Sequence, residues 1–246
     1  MRTIFITGVS KGLGQSLSQS LESKDTRIIG FGRSKGRFSG SFHACDFTQP
    51  QDAAQALDSA LAGEALEDNS QIIFINNAGT LGTLGKIQNI DAANIQQTIT
   101  CNLAGSSIAA AAFLRRVEKV DTQKLIIQIS SGAALPDKAK ASWSLYCACK
   151  AGQEQLVRAI AIEQETAQYP TTLINVNPGV METDMQTKIR ALSPEDFPEV
   201  DTFVKMHEEG SIPSPDTIAE KIRVLIEDHA SLENGKTYTF ANYKTT

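Results

Sequence analysis

The sequence predicts an α/β fold: one domain built on a doubly wound parallel sheet of about seven strands, with helices on both faces. Two observations predict this class. Short apolar runs rich in Ile and Val alternate with amphipathic, helix-like stretches along the 246 residues. Most of these runs are apolar throughout, which is typical of parallel strands that are buried on both faces. Strands and helices in alternation imply βαβ units, and therefore a parallel sheet.

The predicted strands are short and separated by polar segments. In chain order they are Ile4–Thr7, Ile28–Phe31, Phe42–Cys45, Ile72–Asn76, Leu125–Ser130, Thr172–Val176 and Thr237–Phe240. Helical patterns lie between them at residues 12–23, 50–63, 91–118, 143–168 and 215–229. The sequence contains no internal repeat, low-complexity tract or linker, so we expect a single domain over residues 1–246.

Composition argues against several classes of function. The net charge is −5 and no block of Lys and Arg occurs, which disfavours nucleic acid as a partner. No apolar run approaches the ~20 residues that span a membrane. The first residues run directly into a predicted strand without a signal-peptide pattern, so we expect a cytoplasmic protein whose four cysteines are free thiols. The three histidines are scattered, so we expect no metal site.

A glycine-rich turn, Thr-Gly-Val-Ser-Lys-Gly-Leu-Gly at residues 7–14, follows the first strand and opens the first helix. Gly8 allows a tight turn, Gly12 lets the backbone approach a pyrophosphate, and Gly14 lets helix and strand pack closely. The N–H groups of such a helix start bind phosphate. The turn therefore predicts a Rossmann-type cofactor domain; considered alone, it is also compatible with a glycine-rich surface turn.

Tyr146 and Lys150 form a second pattern. They are four residues apart in a predicted helix, so their side chains are neighbours on one face. An ammonium ~4 Å from the phenol would lower the pKa of Tyr146 by about three units, into a range that suits acid–base catalysis. Ser130 and Ser131 end a predicted strand, where active-site side chains project from such a sheet. Either hydroxyl could donate a hydrogen bond to a substrate carbonyl oxygen.

Three further blocks accompany these patterns: Asn-Asn-Ala-Gly at residues 76–79, Asn102, and Pro-Gly at residues 178–179. Together the blocks cover nearly the whole chain and resemble the short-chain dehydrogenase/reductase superfamily. Three stretches look closest to the carbonyl reductases that include sepiapterin reductase and benzil reductase. They are Ser-Gly-Ala-Ala from Ser131, Trp-Ser-Leu-Tyr-Cys from Trp143, and Pro-Gly-Val-Met-Glu-Thr-Asp-Met-Gln from Pro178.

The resemblance implies a catalytic group of four residues. Ser131, rather than Ser130, would polarise the carbonyl, Tyr146 would protonate its oxygen, and Lys150 would bind the cofactor ribose. Asn102 would hold a water that links Lys150 to solvent; from the residues alone, a structural hydrogen bond is the alternative for this amide. Fifteen positions separate Ser131 from Tyr146, two more than in the sepiapterin and benzil reductases, so we expect a bulged loop at residues 137–141.

The second strand indicates which cofactor is bound. NAD enzymes usually place an acidic residue at the end of this strand, but here the strand is followed by Arg33, Ser34 and Lys35. Arg33 and Ser34, with Lys11 of the glycine turn, suit a 2′-phosphate, so we expect NADPH. Solvent-exposed surface charges are the alternative interpretation.

The remaining cofactor contacts are implied by the resemblance. Asp46 would contact the adenine, residues 77–79 would lie beneath the ribose, and Val180 and Thr183 would hold the carboxamide. The complete expected contact set is Gly8, Ser10, Lys11, Gly12, Leu13, Gly14, Arg33, Ser34, Asp46, Asn77, Ala78, Gly79, Tyr146, Lys150, Pro178, Gly179, Val180 and Thr183.

Residues 181–214 interrupt the alternation of strands and helices. They contain a helical stretch at Asp184–Leu192, prolines and large apolar side chains, and they follow the carboxyl end of a strand, where ligands bind. A pair of short helices packed on the core is one interpretation. A lid over the substrate is the other, and the two are compatible. We expect the substrate to contact Trp143, Met181, Met185 and Phe203.

These patterns predict an oxidoreductase that uses NADPH to reduce a ketone or diketone to an alcohol. Three alternatives are a 3-oxoacyl thioester reductase, a nucleotide-sugar epimerase and a silent cofactor-sensing regulator. An epimerase needs a larger C-terminal domain than 246 residues allow, and a silent regulator should have lost Ser131, Tyr146 or Lys150. The final strand has Thr239 where sepiapterin reductases place an acid, which disfavours a pterin.

Two partners are expected. One is a small-molecule carbonyl substrate. The other is a second copy of the chain, because the alanines at residues 109–112 predict a closely packing helix. By resemblance, helices 94–118 and 151–168 would pair across a two-fold axis, giving a homodimer or homotetramer.

Overall fold

The computed structural model describes residues 1–240, which contain one sheet of seven parallel strands. The strands are β1 (Arg2–Thr7), β2 (Thr26–Gly32), β3 (Ser41–Ala44), β4 (Gln71–Asn76), β5 (Gln123–Ile129), β6 (Thr172–Asn177) and β7 (Thr237–Thr239). Their order is β3-β2-β1-β4-β5-β6-β7. The predicted doubly wound fold and its seven strands are confirmed. The last six residues of the predicted domain, 241–246, lie outside the described residues.

The described part of the chain also contains eight α-helices. They are α1 (Gly12–Ser20), α2 (Pro50–Ala62), α3 (Ala92–Ile99), α4 (Gly105–Val117), α5 (Ser144–Gln164), α6 (Asp184–Arg190), α7 (Val200–Glu208) and α8 (Pro215–Glu227). α1 and α8 bury Leu17 and Ile222 on one face. α2, α4 and α5 bury Leu57, Phe113 and Val157 on the other. Through residue 240, none of these helices has the length and apolar character to span a membrane.

β1 shows why the strands are apolar throughout. Ile4 and Ile6 pack into the core beneath α1 and α8, whereas Phe5 packs into the core beneath α2 and α4. Side chains alternate between the two faces of a strand, so a strand covered on both faces needs an apolar residue at every position.

The strand order at the centre of the sheet determines where a ligand-binding crevice lies. Ile4 of β1 pairs with Ile28 of β2 on one side and with Ile73 of β4 on the other. The chain therefore leaves β1 and β4 towards opposite edges of the sheet. Ligands of such folds bind at this switch point, beyond the carboxyl ends of the strands. β1 and β4 end there at Thr7 and Asn76.

The predicted helix at 91–118 is interrupted. Asp91 caps α3 by accepting a 2.8 Å hydrogen bond from the backbone N–H of Asn94. A π-helical turn at Thr100–Ala104 then joins α3 to α4. The wider turn shifts the helical register between α3 and α4. Such turns occur frequently at functional sites, and this one contains Asn102.

The alanines of α4 serve the core of the chain itself. Ala109, Ala110 and Ala112 are at most 5% exposed and pack in the cluster that contains Phe113. Ala111 alone of the four is exposed. Close packing of α4 against α2 therefore accounts for most of this small-residue run.

Residues 181–214 form two short helices, α6 and α7, which pack over the start of α5. They bury Ile189, Phe197 and Phe203 in a third apolar cluster together with Trp143 and Tyr146. The interpretation as a pair of packed short helices is thus confirmed, and it places the segment directly against the predicted catalytic tyrosine.

Candidate active site

The glycine turn has the geometry that a phosphate cradle requires. Gly8 and Gly12 adopt φ values of +77° and +55°, which side chains other than glycine rarely tolerate. A Cβ atom at Gly14 would lie 2.1 Å from the carbonyl oxygen of Gly8, so α1 packs directly on the turn. The amide of Asn77 donates to the carbonyl oxygens of Thr7, at 2.9 Å, and Gly8, at 3.3 Å. Asn77 therefore fixes the turn to the end of β4.

Thr7 holds the two strand ends of the site together, a role that we did not predict from the sequence. Its hydroxyl oxygen accepts hydrogen bonds from the backbone N–H groups of Asn77 and Ala78, both at 2.9 Å. The same hydroxyl donates to the Asn76 side chain at 3.3 Å. These bonds join the carboxyl ends of β1 and β4. In the sequence, the position of this threonine directly before the first glycine of the turn is the feature that indicates such a role.

The start of α1 fits a cofactor phosphate. Lys11 is its N-cap residue, and within residues 1–240 no side chain caps the helix, which leaves the first N–H groups free for an anion. Ser10 and Gly12 are half-buried on this turn. The side chain of Leu13 is buried in the core, so only its backbone can reach a cofactor.

The predicted 2′-phosphate residues lie beside this turn. Arg33 and Ser34 follow β2 directly and are exposed. A Cβ atom at Gly36 would lie 2.3 Å from the carbonyl oxygen of Ser10, so the loop after β2 packs against the glycine turn. The ammonium of Lys11 pairs at 2.7 Å with Asp184 of α6.

The expected adenine contact, Asp46, lies at the same end of the sheet. One of its carboxylate oxygens accepts hydrogen bonds from the backbone N–H and the hydroxyl of Thr48, both at 2.9 Å. Burial raises the pKa of the Cys101 thiol; the charge of Asp46 also raises it, and that of Arg33 lowers it. Arg33 and Asp46 therefore both lie near the π-helical turn.

The nicotinamide end of the expected contact set lies across the crevice. Gly79 is exposed, and a Cβ atom there would lie 3.2 Å from the side-chain oxygen of Asn102. Pro178 is buried after β6, and Gly179 adopts a φ of +75°. Thr183 is the N-cap residue of α6, and a Cβ atom at Gly12 would lie 3.6 Å from its methyl group. Val180, also half-buried, packs with the third apolar cluster.

The structure distinguishes the two serines. Ser130 is buried and donates a 2.6 Å hydrogen bond to Glu154, so its hydroxyl is already committed. Ser131 is half-buried and accepts from the backbone N–H of Ala133 at 3.2 Å. It also forms a hydrogen bond with Tyr146 that lowers the pKa of the phenol. The geometry thus brings Ser131, and not Ser130, to the tyrosine.

Tyr146 and Lys150 are neighbours on α5, as predicted, but their electrostatics differ from the prediction. The pKa of Tyr146 is raised, because burial of the phenol outweighs the hydrogen bond from Ser131. The Lys150 ammonium lies 5.8 Å from the centre of the tyrosine ring and donates a 2.7 Å hydrogen bond to the Ile129 carbonyl oxygen. Burial lowers the pKa of Lys150 to about 8. A protonated Tyr146 is suited to act as an acid.

Asn102 is fully buried in the π-helical turn. Its side chain accepts from the N–H of Thr80 and donates to the carbonyl oxygen of Thr80, both at 2.8 Å. Its own carbonyl oxygen accepts a 2.6 Å hydrogen bond from Gln153 of α5. Asn102 therefore makes structural hydrogen bonds, as the alternative interpretation expects. Its backbone oxygen has a second lone pair, so the water that would link Lys150 to solvent stays a prediction.

An aromatic cluster adjoins Tyr146. The indole of Trp143 stacks on Phe197, with ring centres 5.2 Å apart and an interplanar angle of 14°, and meets the Tyr146 ring edge-on at 5.7 Å. Phe203 closes the cluster, 5.8 Å from Trp143, and Met185 packs against its edge. Three of the four predicted substrate residues, Trp143, Met185 and Phe203, are thus together.

Met181 is the fourth, and it lies elsewhere. Its side chain packs against the cluster beneath α1 and α8 rather than against the aromatic rings.

The residues between Ser131 and Tyr146 form two short 3-10 turns, and Ser142 adopts a φ of +67° directly before Trp143. Lys140 of this loop pairs with Glu199 and lies 5.7 Å from the Phe203 ring centre. The extra loop residues therefore contact the segment at 181–214.

Comparison with known proteins agrees with the family resemblance of the sequence motifs. The sequence profile of the short chain dehydrogenase family matches residues 2–193. The benzil reductase ((S)-benzoin forming) of Bacillus subtilis (strain 168) is 32% identical over 99% of this chain and all of its own. An NADPH-dependent pterin aldehyde reductase of Arabidopsis thaliana is 28% identical over 76% of this chain and 77% of its own.

The fold is also found in solved structures. The crystal structure of a short chain dehydrogenase/reductase from Saccharomyces cerevisiae superposes with a TM-score of 0.81, at 23% identity, over 98% of this chain and 97% of that one. The sequence resemblance drawn from the glycine turn, the serine pair and the Tyr-Lys pair is thus confirmed at the level of both sequence and fold.

Proposed function

The chain belongs to the short-chain dehydrogenases, and on that premise we propose that it is an NADPH-dependent reductase of aromatic ketones and diketones. Membership of the family and similarity to carbonyl reductases make it an oxidoreductase that acts on a C=O or CH–OH group. The cofactor, the substrate and the roles of individual residues are the proposed part. The observation that carries the proposal is the aromatic cluster around Trp143, which meets the Tyr146 ring edge-on.

The proposed chemistry assigns one task to each polar residue. The nicotinamide supplies the hydride when bound. Tyr146, whose raised pKa keeps the phenol protonated at neutral pH, donates its proton to the carbonyl oxygen. Ser131 hydrogen-bonds the same oxygen as negative charge develops on it. Lys150, buried one helical turn away, holds the ribose hydroxyls and supplies positive charge beside the phenol.

The residues present fit NADPH better than NADH. The free N–H groups at the start of α1 and the tight Gly8–Gly14 approach fit a pyrophosphate. No acid follows β2 to hold a ribose 2′-hydroxyl, and Arg33 and Ser34 are exposed beside the glycine turn. An Arg guanidinium suits a phosphate. The similar Arabidopsis enzyme is named as NADPH-dependent, which supports the same choice.

The aromatic cluster favours an aryl substrate with a second oxygen. Trp143 is 7% exposed, and among the described residues its indole N–H has no hydrogen-bond partner. A buried donor without a partner costs about 1–3 kcal/mol, so such groups in proteins usually meet an acceptor. If α7 moves to admit a diketone, one oxygen would lie against Tyr146 and Ser131, and the other would accept from Trp143. Phe197 and Phe203 would then contact an aryl ring.

A substrate panel tests the proposal. NADPH oxidation would be followed with benzil, its mono-ketone analogue deoxybenzoin, a pterin, a 3-oxoacyl thioester and a small aliphatic ketone. We expect turnover to be fastest with benzil, and slower with NADH than with NADPH. Preference for the thioester or the pterin would contradict the proposed substrate class. Turnover of no carbonyl in the panel would contradict the proposed reaction.

A further inference from the structure

The catalytic pair is part of a longer row on α5. Tyr146, Lys150, Glu154 and Arg158 follow one another at intervals of four residues, which places them along one side of the helix. Tyr146, Lys150 and Glu154 are buried, and the Arg158 side chain is 44% exposed. The row therefore runs from the active site to the surface, and its third member is a buried carboxylate that the proposed mechanism does not use.

The Glu154 carboxylate joins three elements. One oxygen accepts a 2.6 Å hydrogen bond from the hydroxyl of Ser130, at the end of β5. The other accepts from Arg158 of α5 at 2.6 Å and from Thr237 of β7 at 3.2 Å. A buried carboxylate is costly unless it is paired and hydrogen-bonded, and Glu154 is both. Ser130 is covalently adjacent to Ser131, so this contact anchors the backbone that presents the catalytic hydroxyl.

Glu154 also acts on Lys150. Burial lowers the pKa of Lys150 to about 8, and three facing groups raise it: Cys149, Cys101 and Glu154. Burial raises the pKa values of both thiols, so the thiols are neutral at pH 7. Among these three groups, the negative charge that favours the ammonium form of Lys150 therefore comes from the Glu154 carboxylate. Arg158, which pairs with Glu154 at 2.6 Å, carries the opposite charge.

We propose that Glu154 is a positioning residue of this active site: its carboxylate keeps Lys150 charged, and its bond to Ser130 fixes the turn that carries Ser131. This inference rests on the proposed function, because it assigns to Lys150 and Ser131 their roles in carbonyl reduction. The two effects are separable. The first depends on the charge of Glu154, and the second depends on the hydrogen bond to Ser130.

Glu154→Gln removes the charge and keeps the shape. The ammonium of Lys150 should then lose its proton at lower pH, and the alkaline limb of the kcat/KM profile should move down by about one pH unit, the scale of one charge at ~6–8 Å in a partly screened site. Glu163→Gln, an exposed carboxylate on the same helix, is the matched control and should leave the limb in place. An unmoved limb in Glu154→Gln would overturn the charge effect.

Arg158→Gln should shift the alkaline limb in the opposite direction to Glu154→Gln. Because Arg158 is partly exposed, this variant tests the charge effect even if Glu154→Gln does not fold. Without the opposing guanidinium, Lys150 should hold its proton to higher pH, and the limb should move up. A downward or absent shift contradicts the proposal.

Ser130→Ala and Glu154→Asp isolate the positioning effect. Both retain the negative charge on residue 154, so the alkaline limb should stay where it is in the wild type. Both weaken the hydrogen bond that positions Ser131, so kcat should fall about tenfold. Unchanged kcat in both variants would refute the role of the Ser130 bond.

A second readout separates this inference from the proposed function. Lys150 holds the cofactor ribose best when protonated, so the Kd for NADPH should weaken over the same alkaline limb, and Glu154→Gln should shift that limb as well. This measurement needs no turnover. If the protein reduces no carbonyl but the limb of NADPH binding shifts, the proposed reaction is contradicted and the charge effect of Glu154 is supported. If the protein reduces carbonyls and this limb does not shift, the proposed reaction is supported and the charge effect of Glu154 is contradicted.

Discussion

The ammonium of Lys11 lies 2.7 Å from the carboxylate of Asp184, so an ion pair joins the glycine turn to the first residue of α6. The hydrogen bond from Lys11 holds the pKa of the Asp184 carboxyl below its usual range. Both side chains are about two-thirds exposed, at 68% and 70%, and exposed pairs contribute little to stability. Breaking this ion pair should therefore cost little, as the predicted contact of Lys11 with a cofactor phosphate requires.

Cofactor preference should depend on Arg33. Arg33→Ala should weaken NADPH binding by roughly 1.5–3 kcal/mol, the scale of a charge-assisted hydrogen bond, and change NADH binding little. Dissociation constants from cofactor fluorescence would measure both. Asp184→Asn should tighten NADPH slightly by releasing Lys11, and Lys24→Ala, an exposed lysine after α1, is the control. Equal affinity of the wild type for the two cofactors would rule out this basis of selection.

Tyr146→Phe should lose nearly all turnover and keep NADPH affinity, because the ring still packs against Trp143 while the proton donor is gone. Acid–base catalysis contributes about 10²-fold or more. Single-turnover kinetics with benzil would measure the loss. A variant that retained more than about a tenth of the wild-type kcat would show that Tyr146 is not the acid.

The two serines should respond differently to the same substitution. Ser131→Ala should lower kcat by about 10²–10³-fold at unchanged thermal stability, since it removes a donor to the developing oxyanion. Ser130→Ala should lower kcat less, by about tenfold, because it loosens only the backbone that carries Ser131. It also leaves an oxygen of the buried Glu154 without its partner, so it should reduce the free energy of unfolding by about 1–3 kcal/mol. Urea unfolding and kcat, measured on both variants, would check the contrast. Equal effects on catalysis would contradict the assignment of Ser131.

Trp143 offers a direct probe of the second substrate oxygen. It is the one tryptophan of the chain, so a ¹⁵N-labelled sample has a single indole N–H resonance. Benzil bound to the NADP⁺-loaded protein should move this resonance downfield more than deoxybenzoin does, because deoxybenzoin lacks the second carbonyl. Trp143→Phe should lower kcat/KM for benzil relative to deoxybenzoin by about tenfold, the scale of one neutral hydrogen bond. Identical shifts for the two ligands would exclude the hydrogen bond.

Met185 and Met181 form a matched pair for the shape of the substrate site. Met185 packs at the edge of the aromatic cluster, whereas Met181 packs beneath α8. Met185→Ala should change the kcat/KM ratio between aromatic and aliphatic ketones by about 1–3 kcal/mol. Met181→Ala should leave the ratio unchanged and lower only the melting temperature. The opposite result would restore Met181 as a substrate contact.

Assembly remains a prediction from the resemblance. Most of the alanine run in α4 is used inside the chain, but Ile162 of α5 is 65% exposed within the predicted interface. A homodimer or homotetramer should bury this side chain in an isologous contact. Light scattering at micromolar concentration would give the mass, and Ile162→Lys should shift it towards the monomer. A wild-type monomer would exclude the predicted assembly.

Local patterns were sufficient to predict the fold, and the structure brings Ser131, Tyr146 and Lys150 close together; their catalytic roles stay predictions. The strands could be predicted because burial on both faces requires continuous apolar runs, as Ile4, Phe5 and Ile6 show. The π-helical turn at Thr100–Ala104 could not, because one additional residue in a helix changes no local propensity. The raised pKa of Tyr146 was missed because it depends on burial by segments distant in sequence. Glu154 was visible in the spacing from Tyr146, but its burial and partners were not.

The central position of β1 has a consequence for synthesis of the protein. β1 is made first, yet it pairs with both β2 and β4, so one of its edges stays open until residue 76 has left the ribosome. Open apolar strand edges promote aggregation. Residues 2–76 supply β1–β4 with the glycine turn, whereas the predicted catalytic side chains come from residues 102–150. The nascent chain can thus pair β1 with both of its neighbours before the predicted catalytic residues are synthesised, whereas the outer edge of β4 stays open until β5 is made.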